Sequence, residues 1–224
     1  MSGKEEKQEN IMGTMGVTHL IMKMSLPLMI SMMIQALYNI VDSMFVARVS
    51  ETALTAVSLA FPLQNLLIAF GVGTGVGMAS FLSRKLGEKD TESATKAAGN
   101  GITLAIITWI MFAILGLSIV KPFMALFTDD KELLELSTGY SEIVMILSFF
   151  MLLSMMNERI LQGTGDSFSS MLSQMTGAIT NIILDPVFIF VFKMGVNGAA
   201  IATVIGQAVG CAVSLFFVFR NKYI

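Results

Sequence analysis

Asp42 and Asp185 are carboxylates in stretches where a carboxylate is costly. Asp42 follows the apolar-rich stretch Leu26–Val41, and Asp185 lies inside the run Ile179–Phe192. Both stretches read as membrane-spanning helices. An acid at bilayer depth costs roughly 2.5–3.5 kcal/mol on insertion scales, and such residues face a cavity, a partner or an ion path rather than lipid. Asn181 precedes Asp185 by one helical turn, so both side chains can reach one ion. Hard cations take oxygen ligands, which carboxylate, amide and hydroxyl groups supply. The same acids could instead take a proton, because two carboxylates held close repel as anions and can share one proton between them.

Other polar residues fall in register with these acids. Gln35, Tyr38, Asn39 and Asp42 stand at offsets of 3, 4 and 7, which is one helical face. Gln174, Asn181 and Asp185 fall on one face of a second helix, and Thr203 and Gln207 are four apart on a third. Lipid cannot satisfy these groups, so they are expected to face the bundle interior or a water-filled cavity. Glutamines so placed could equally be interhelical hydrogen-bond glue, worth about 0.6 kcal/mol per contact. Packing does not require an ionisable group, so that account fits the aspartates less well. Pro186 follows Asp185 and removes a backbone hydrogen bond from its helix, and Pro27 does the same near the expected start of the first helix. Broken helices recur where transporters bind ions, so both prolines are candidate hinges. Met32, Met155 and Met175 are candidates to line an adaptable apolar cavity, drawn from 19 methionines. The run Gly71–Gly77 fails as a phosphate loop, having no P-loop Lys-Ser/Thr after it. Its Gly71/Gly75 and Gly73/Gly77 pairs instead suit close helix contact. Asn157–Ser167 reads as the connection between the fourth and fifth helices, with Glu158 and Arg159 near the inner interface fixing the loop.

These residues need helices to hold them, and the composition supplies helices. The 224-residue chain is 54% hydrophobic and 13% charged, with mean hydropathy +0.75; soluble domains carry about 25% charged residues. Its continuous apolar runs exclude the alternating ~10-residue segments of a barrel. The expected fold is an all-α membrane protein with six spanning helices at about 24–48, 54–83, 95–120, 134–158, 168–192 and 197–219. Residues 1–23 read as a cytoplasmic N-terminal segment, 24–220 as the six-helix lobe and 221–224 as a truncated linker. Residues 11–22 carry a weak amphipathic pattern that could form a helix on the membrane surface. The N-terminus lacks a signal peptide's apolar core, so the first helix is expected to serve as an uncleaved insertion signal. With the N-terminus inside, the inner segments hold Lys4, Lys7, Lys23, Arg84, Lys85, Lys89, Lys96, Arg159, Arg220 and Lys222, ten of the 14 basic residues. That bias places both ends in the cytoplasm and the chain in the inner or plasma membrane. A net charge of -2 argues against a nucleic-acid partner, and one histidine and one cysteine leave no His/Cys metal cluster. No Ser/His, G-x-G-D or H-E-x-x-H constellation appears in the spans, so an enzyme is not expected.

The chain resembles the N-terminal half of a MATE (multidrug and toxic compound extrusion) transporter, nearest to the bacterial drug/cation antiporters. The resemblance covers about residues 15–222. It rests on Ser25-Leu26-Pro27, Asp42-Ser43, Ser83-Arg84-Lys85-Leu86-Gly87, Leu161-Gln162-Gly163-Thr164-Gly165-Asp166, Asn181-Ile182-Ile183-Leu184-Asp185-Pro186 and Gly198-Ala199-Ala200, in that order. It implies a cation site at Asp42, Asn181, Asp185 and Thr203, and antiport of inward protons or sodium against outward drugs, often organic cations. No cofactor beyond that coupling ion is implied, and no metal beyond possible sodium at Asp42, Asn181 and Asp185. It matches Pro27 to a proline linked in the family to bending of the first helix. It also implies twelve helices in two parallel six-helix lobes, so this chain would be one lobe, either a fragment of a longer protein or, less favoured, paired with another chain. The rival readings are a lipid-linked oligosaccharide flippase, disfavoured by the shortage of basic residues within the helices, and a non-transporting subunit made of a lone lobe.

Overall fold

The computed structural model describes residues 11–223. The segment Met1–Asn10, with its expected inner charges Lys4 and Lys7, and Ile224 lie outside the described residues. The elements are α1 (Ile11–Thr14), α2 (Val17–Ala47), α3 (Glu51–Gly87), α4 (Thr91–Met124), α5 (Lys131–Ile146), α6 (Phe149–Gly163), α7 (Ser167–Pro186), a π turn (Val187–Val191) and α8 (Gly195–Arg220). Side-chain caps mark where helices begin. Ser50 Oγ accepts from the Ala53 N–H at 2.9 Å to open α3, Asp90 accepts from Ser93 to open α4, Asp130 from Glu132 and Leu133 to open α5, and Asp166 from Ser169 to open α7. Each satisfies amides that an isolated first turn leaves unpaired.

α2, α3, α4 and α8 are each long and apolar enough to cross a membrane, as is α7 with its π turn, and α5 and α6 together make a sixth, bent span. The chain is therefore an all-α, multi-pass membrane lobe. Three expectations need correction. The fourth span is not one helix over 134–158: α5 and α6 meet at a 47° bend. Trp109 Nε1 of α4 donates to the Ile146 carbonyl at 2.9 Å, and Ser148 Oγ to the Met145 carbonyl at 2.7 Å, so the carbonyls freed at the bend keep partners. Second, α2 begins at Val17 rather than about 24, so the segment 1–23 contains helix. Pro27 then stands well inside α2, whose helical assignment runs unbroken through it. Third, the helix after Asp166 keeps α-helical form only to Pro186. The missing amide of Pro186 is followed by one widened turn, in which the Phe192 N–H reaches the Val187 carbonyl at 2.9 Å.

α3, α4, α5, α6 and α8 form the body of the bundle, and α7 packs most closely on α8. The buried core is rich in small residues, among them Ala53 and Ala60 of α3, Ala98 and Ala105 of α4 and Ala200 of α8, which let backbones approach where lipid gives no hydrophobic drive. α2 leans mainly on α7 and exposes most of its length. Of the two expected glycine pairs on α3, Gly71 and Gly75 face α6, where Met155 and Arg159 lie across them. A Cβ at Gly73 or Gly77 would meet nothing within 4 Å.

Candidate functional site

α2, α3, α5, α6, α7 and α8 enclose a cavity of about 470 Å³, within the range of small-molecule pockets. Its wall carries most of the residues expected there: Met32, Gln35, Tyr38, Asn39 and Asp42 from α2, Met155 from α6, Gln174 and Asn181 from α7, and Thr203 and Gln207 from α8. Met175 is not on the wall. The cavity-facing positions of α7 are Ser173, Gln174, Gly177, Ala178 and Asn181, and Met175 is turned about 100° past Gln174. Neither Pro27 nor Pro186 lines the cavity.

At one end of the cavity Asp42, on the wall, meets Asp185, which lies behind the wall. Asp42 on α2 is buried, and its carboxyl lies within hydrogen-bonding reach of that of Asp185 on α7, which is fully buried. Two bare carboxylates offer only acceptors, so a bond between them needs a proton on one. Asn181 Nδ2 donates to Asp185 Oδ1 and to Thr203 Oγ1, each at 3.2 Å, and Tyr38 reaches Thr203 from α2. The expected quartet of Asp42, Asn181, Asp185 and Thr203 is thus one connected cluster. Among the described residues no protein donor reaches Asp42 Oδ1, Asn181 Oδ1 or Asp185 Oδ2, although all three atoms are buried. Buried oxygens are normally paired. Three such oxygens in one cluster suit a cation or a proton.

The cluster depends on a close approach of α7 and α8. A Cβ on Gly206 would stand 2.8 Å from the Gly177 carbonyl oxygen and 3.0 Å from Asn181 Cβ, and one on Gly177 would stand 2.9 Å from the Gly206 carbonyl oxygen. The two glycines therefore bring Asn181 and Thr203 within reach of each other.

Sequence reasoning missed the other end of the cavity. Glu158, read as a loop anchor, lies inside α6, which runs on to Gly163, and it forms part of the wall. Ser154 Oγ donates to Glu158 Oε1 at 3.1 Å and Gln174 Nε2 to Oε2 at 2.8 Å. Arg159 is also on the wall, and instead of pairing with Glu158 its guanidinium donates to Gln162 Oε1 at 2.7 Å. The available signal was the recurrence of Ser154, Glu158 and Gln162 every four residues, a polar stripe on a helix. Tyr140 of α5 and Gln64 of α3 were missed too; their side chains meet at 3.4 Å on the wall.

The MatE family profile matches residues 27–187. This chain belongs to the MatE family. Among MatE relatives, the multidrug export protein MepA of Staphylococcus haemolyticus is 29% identical over 198 residues, covering 88% of this chain and 43% of MepA. The probable multidrug resistance protein YoeA of Bacillus subtilis is 30% identical over 202 residues, covering 88% of this chain and 44% of YoeA. A solved outward-facing multidrug resistance MATE transporter of the MOP superfamily superposes with a TM-score of 0.88 at 32% identity, over 92% of this chain and 46% of that one. The resemblance carried by the motifs is therefore confirmed at the level of family and fold. The chain spans less than half the length of each of these proteins.

Proposed function

We propose that this chain is the N-terminal lobe of a cation-coupled multidrug antiporter, with Asp42, Asn181, Asp185 and Thr203 holding the coupling proton or sodium ion. The observation that carries the reading is the cluster of buried oxygens on Asp42, Asn181 and Asp185 that no protein donor reaches. A sodium ion finds two carboxylates, an amide oxygen and a hydroxyl there; a proton finds two facing carboxyls to share it. Loss of the ion leaves two like charges on different helices, and their repulsion pushes α2 from α7, the helix it mainly leans on. Binding of the ion removes that repulsion and selects one state of α2, and an organic cation that binds the other state exchanges with it. The names of MepA and YoeA support drugs as the cargo. A second six-helix lobe completes the path, the membrane is the cell's inner or plasma membrane, and both ends of this chain face the cytoplasm. The protein acts as a transporter, not an enzyme.

The test is transport by the intact protein, as its gene encodes it, in proteoliposomes. Efflux of a fluorescent organic cation is followed under a proton gradient alone and a sodium gradient alone. Asp42→Asn and Asp185→Asn are each expected to abolish gradient-driven efflux. Coupled efflux at the wild-type rate in either variant would refute the assignment.

A further inference from the structure

The cavity wall carries a further carboxylate, half-buried, that the coupling mechanism does not use. Glu158 lies on α6, and its partner Gln174 precedes Asn181 on the same face of α7 by seven residues, about 10 Å along the axis. Its two carboxyl oxygens each accept from a neutral donor, Ser154 Oγ and Gln174 Nε2. The two donors fix the orientation of the carboxyl, and its anion would accept at both oxygens. Among the described residues no ion pair reaches Glu158; Arg159 acts on it only through space, its guanidinium donating to Gln162. Carboxylate oxygens have further lone pairs beyond the two in use. The surrounding wall carries the sulfur side chains of Met151 and Met155, which adapt to apolar shapes.

We infer that Glu158 receives the charge of a lipophilic organic monocation in this cavity, at a place separate from the Asp42–Asp185 pair. Ser154 and Gln174 are positioning residues that aim the carboxylate, and the methionines take the apolar body of the ligand. The inference rests on the reading of the chain as a drug transporter and assigns the drug's charge to a residue that reading leaves idle. It also explains why an acid is held in the wall with neutral donors instead of a salt bridge: a fixed counter-ion would compete with the ligand.

Tetraphenylphosphonium binding to the purified intact protein tests it, at fixed pH and sodium. Glu158→Gln keeps the size of the side chain and removes its charge, and is expected to weaken binding at least tenfold, while Asp185→Asn changes it less than threefold. Wild-type affinity in Glu158→Gln, or an equal loss in Asp185→Asn, overturns the inference. Should Glu158→Gln not fold, the wild-type protein still decides. Saturating tetraphenylphosphonium is expected to slow carbodiimide labelling of Glu158, mapped by mass spectrometry, and unchanged labelling overturns the inference. Gradient-driven transport by Asp185→Asn separates the two ideas. Coupling that survives there refutes the antiport site whatever Glu158 does, and loss of coupling with intact tetraphenylphosphonium binding leaves both standing.

Discussion

Replacing Gly206 with alanine should damage the aspartate cluster without touching any of its polar groups. The new Cβ would stand 2.8 Å from the Gly177 carbonyl oxygen, whereas ordinary contacts begin near 3.4 Å. Both neighbours are fixed, one a backbone carbonyl and the other Asn181 Cβ at 3.0 Å, so relief requires α7 and α8 to part by about 0.6 Å, the shortfall from van der Waals contact. If they part as rigid bodies, the Asn181–Thr203 separation grows from 3.2 Å to about 3.8 Å, too far for a hydrogen bond. Overpacking of this kind costs about 1–3 kcal/mol. The expected result for Gly206→Ala is a lower melting temperature in detergent together with weaker sodium or proton binding. Gly73→Ala is the control, because its Cβ meets nothing within 4 Å and alanine is the better helix former by about 1 kcal/mol. Equal melting curves and equal ion binding for Gly206→Ala and the wild type would refute the argument that this glycine seat sets the cluster's geometry.

Other outcomes follow from single contacts. Thr203→Val removes the hydroxyl that takes the Asn181 amide and should weaken coupling-ion binding by roughly tenfold, about 1.4 kcal/mol, while Thr203→Ser retains it; titration of ion-dependent transport in the intact protein reads both. Trp109→Phe keeps the ring packing on Phe149 but takes the donor from the Ile146 carbonyl at the α5–α6 bend. It should cost about 1–2 kcal/mol, read by circular dichroism because Trp109 is the protein's one tryptophan. Hydrogen bonds from the Ser93 hydroxyl and then its backbone N–H hold the Asp90 carboxyl below its usual range. The cap's stabilisation is therefore complete above the ordinary carboxylate range and is lost as pH falls through the lowered value. Amide exchange in the first turn of α4 should quicken in acid, and Asp90→Asn should remove that dependence.

The convergence of Asp42, Asn181, Asp185 and Thr203 was legible because buried acids in apolar helices are rare and because their spacing and order carry a family pattern. Pro186 similarly announced a change in its helix. The bend at Leu147–Ser148 was not legible: no proline or glycine marks it, and what holds it is Trp109, reaching over from another helix. Glu158 was hidden by its neighbours. Placed beside Arg159 and just before a glycine-containing turn, it read as a loop anchor near the inner interface, and only the continuation of α6 to Gly163 turns it inward. The Gly177–Gly206 seat escaped notice because a pair of glycines on different helices has no spacing to read. Met175 shows the limit of composition, since an abundance of methionine says nothing about which face of a helix each one takes.

The Asn181 amide has a consequence for the sign of charge that the cluster accepts. Its nitrogen is committed on both sides, to Asp185 and to Thr203, so the group cannot rotate by half a turn without setting its oxygen against a carboxylate. One side-chain torsion is thereby locked, and with it the polarity of the surface that Asn181, Asp42 and Asp185 present. An arriving anion meets oxygen at each of these three residues and no hydrogen to bind. A freely rotating amide could have served either charge; this one works as a rectifier, and its direction is held by two hydrogen bonds that are not themselves part of what the ion touches.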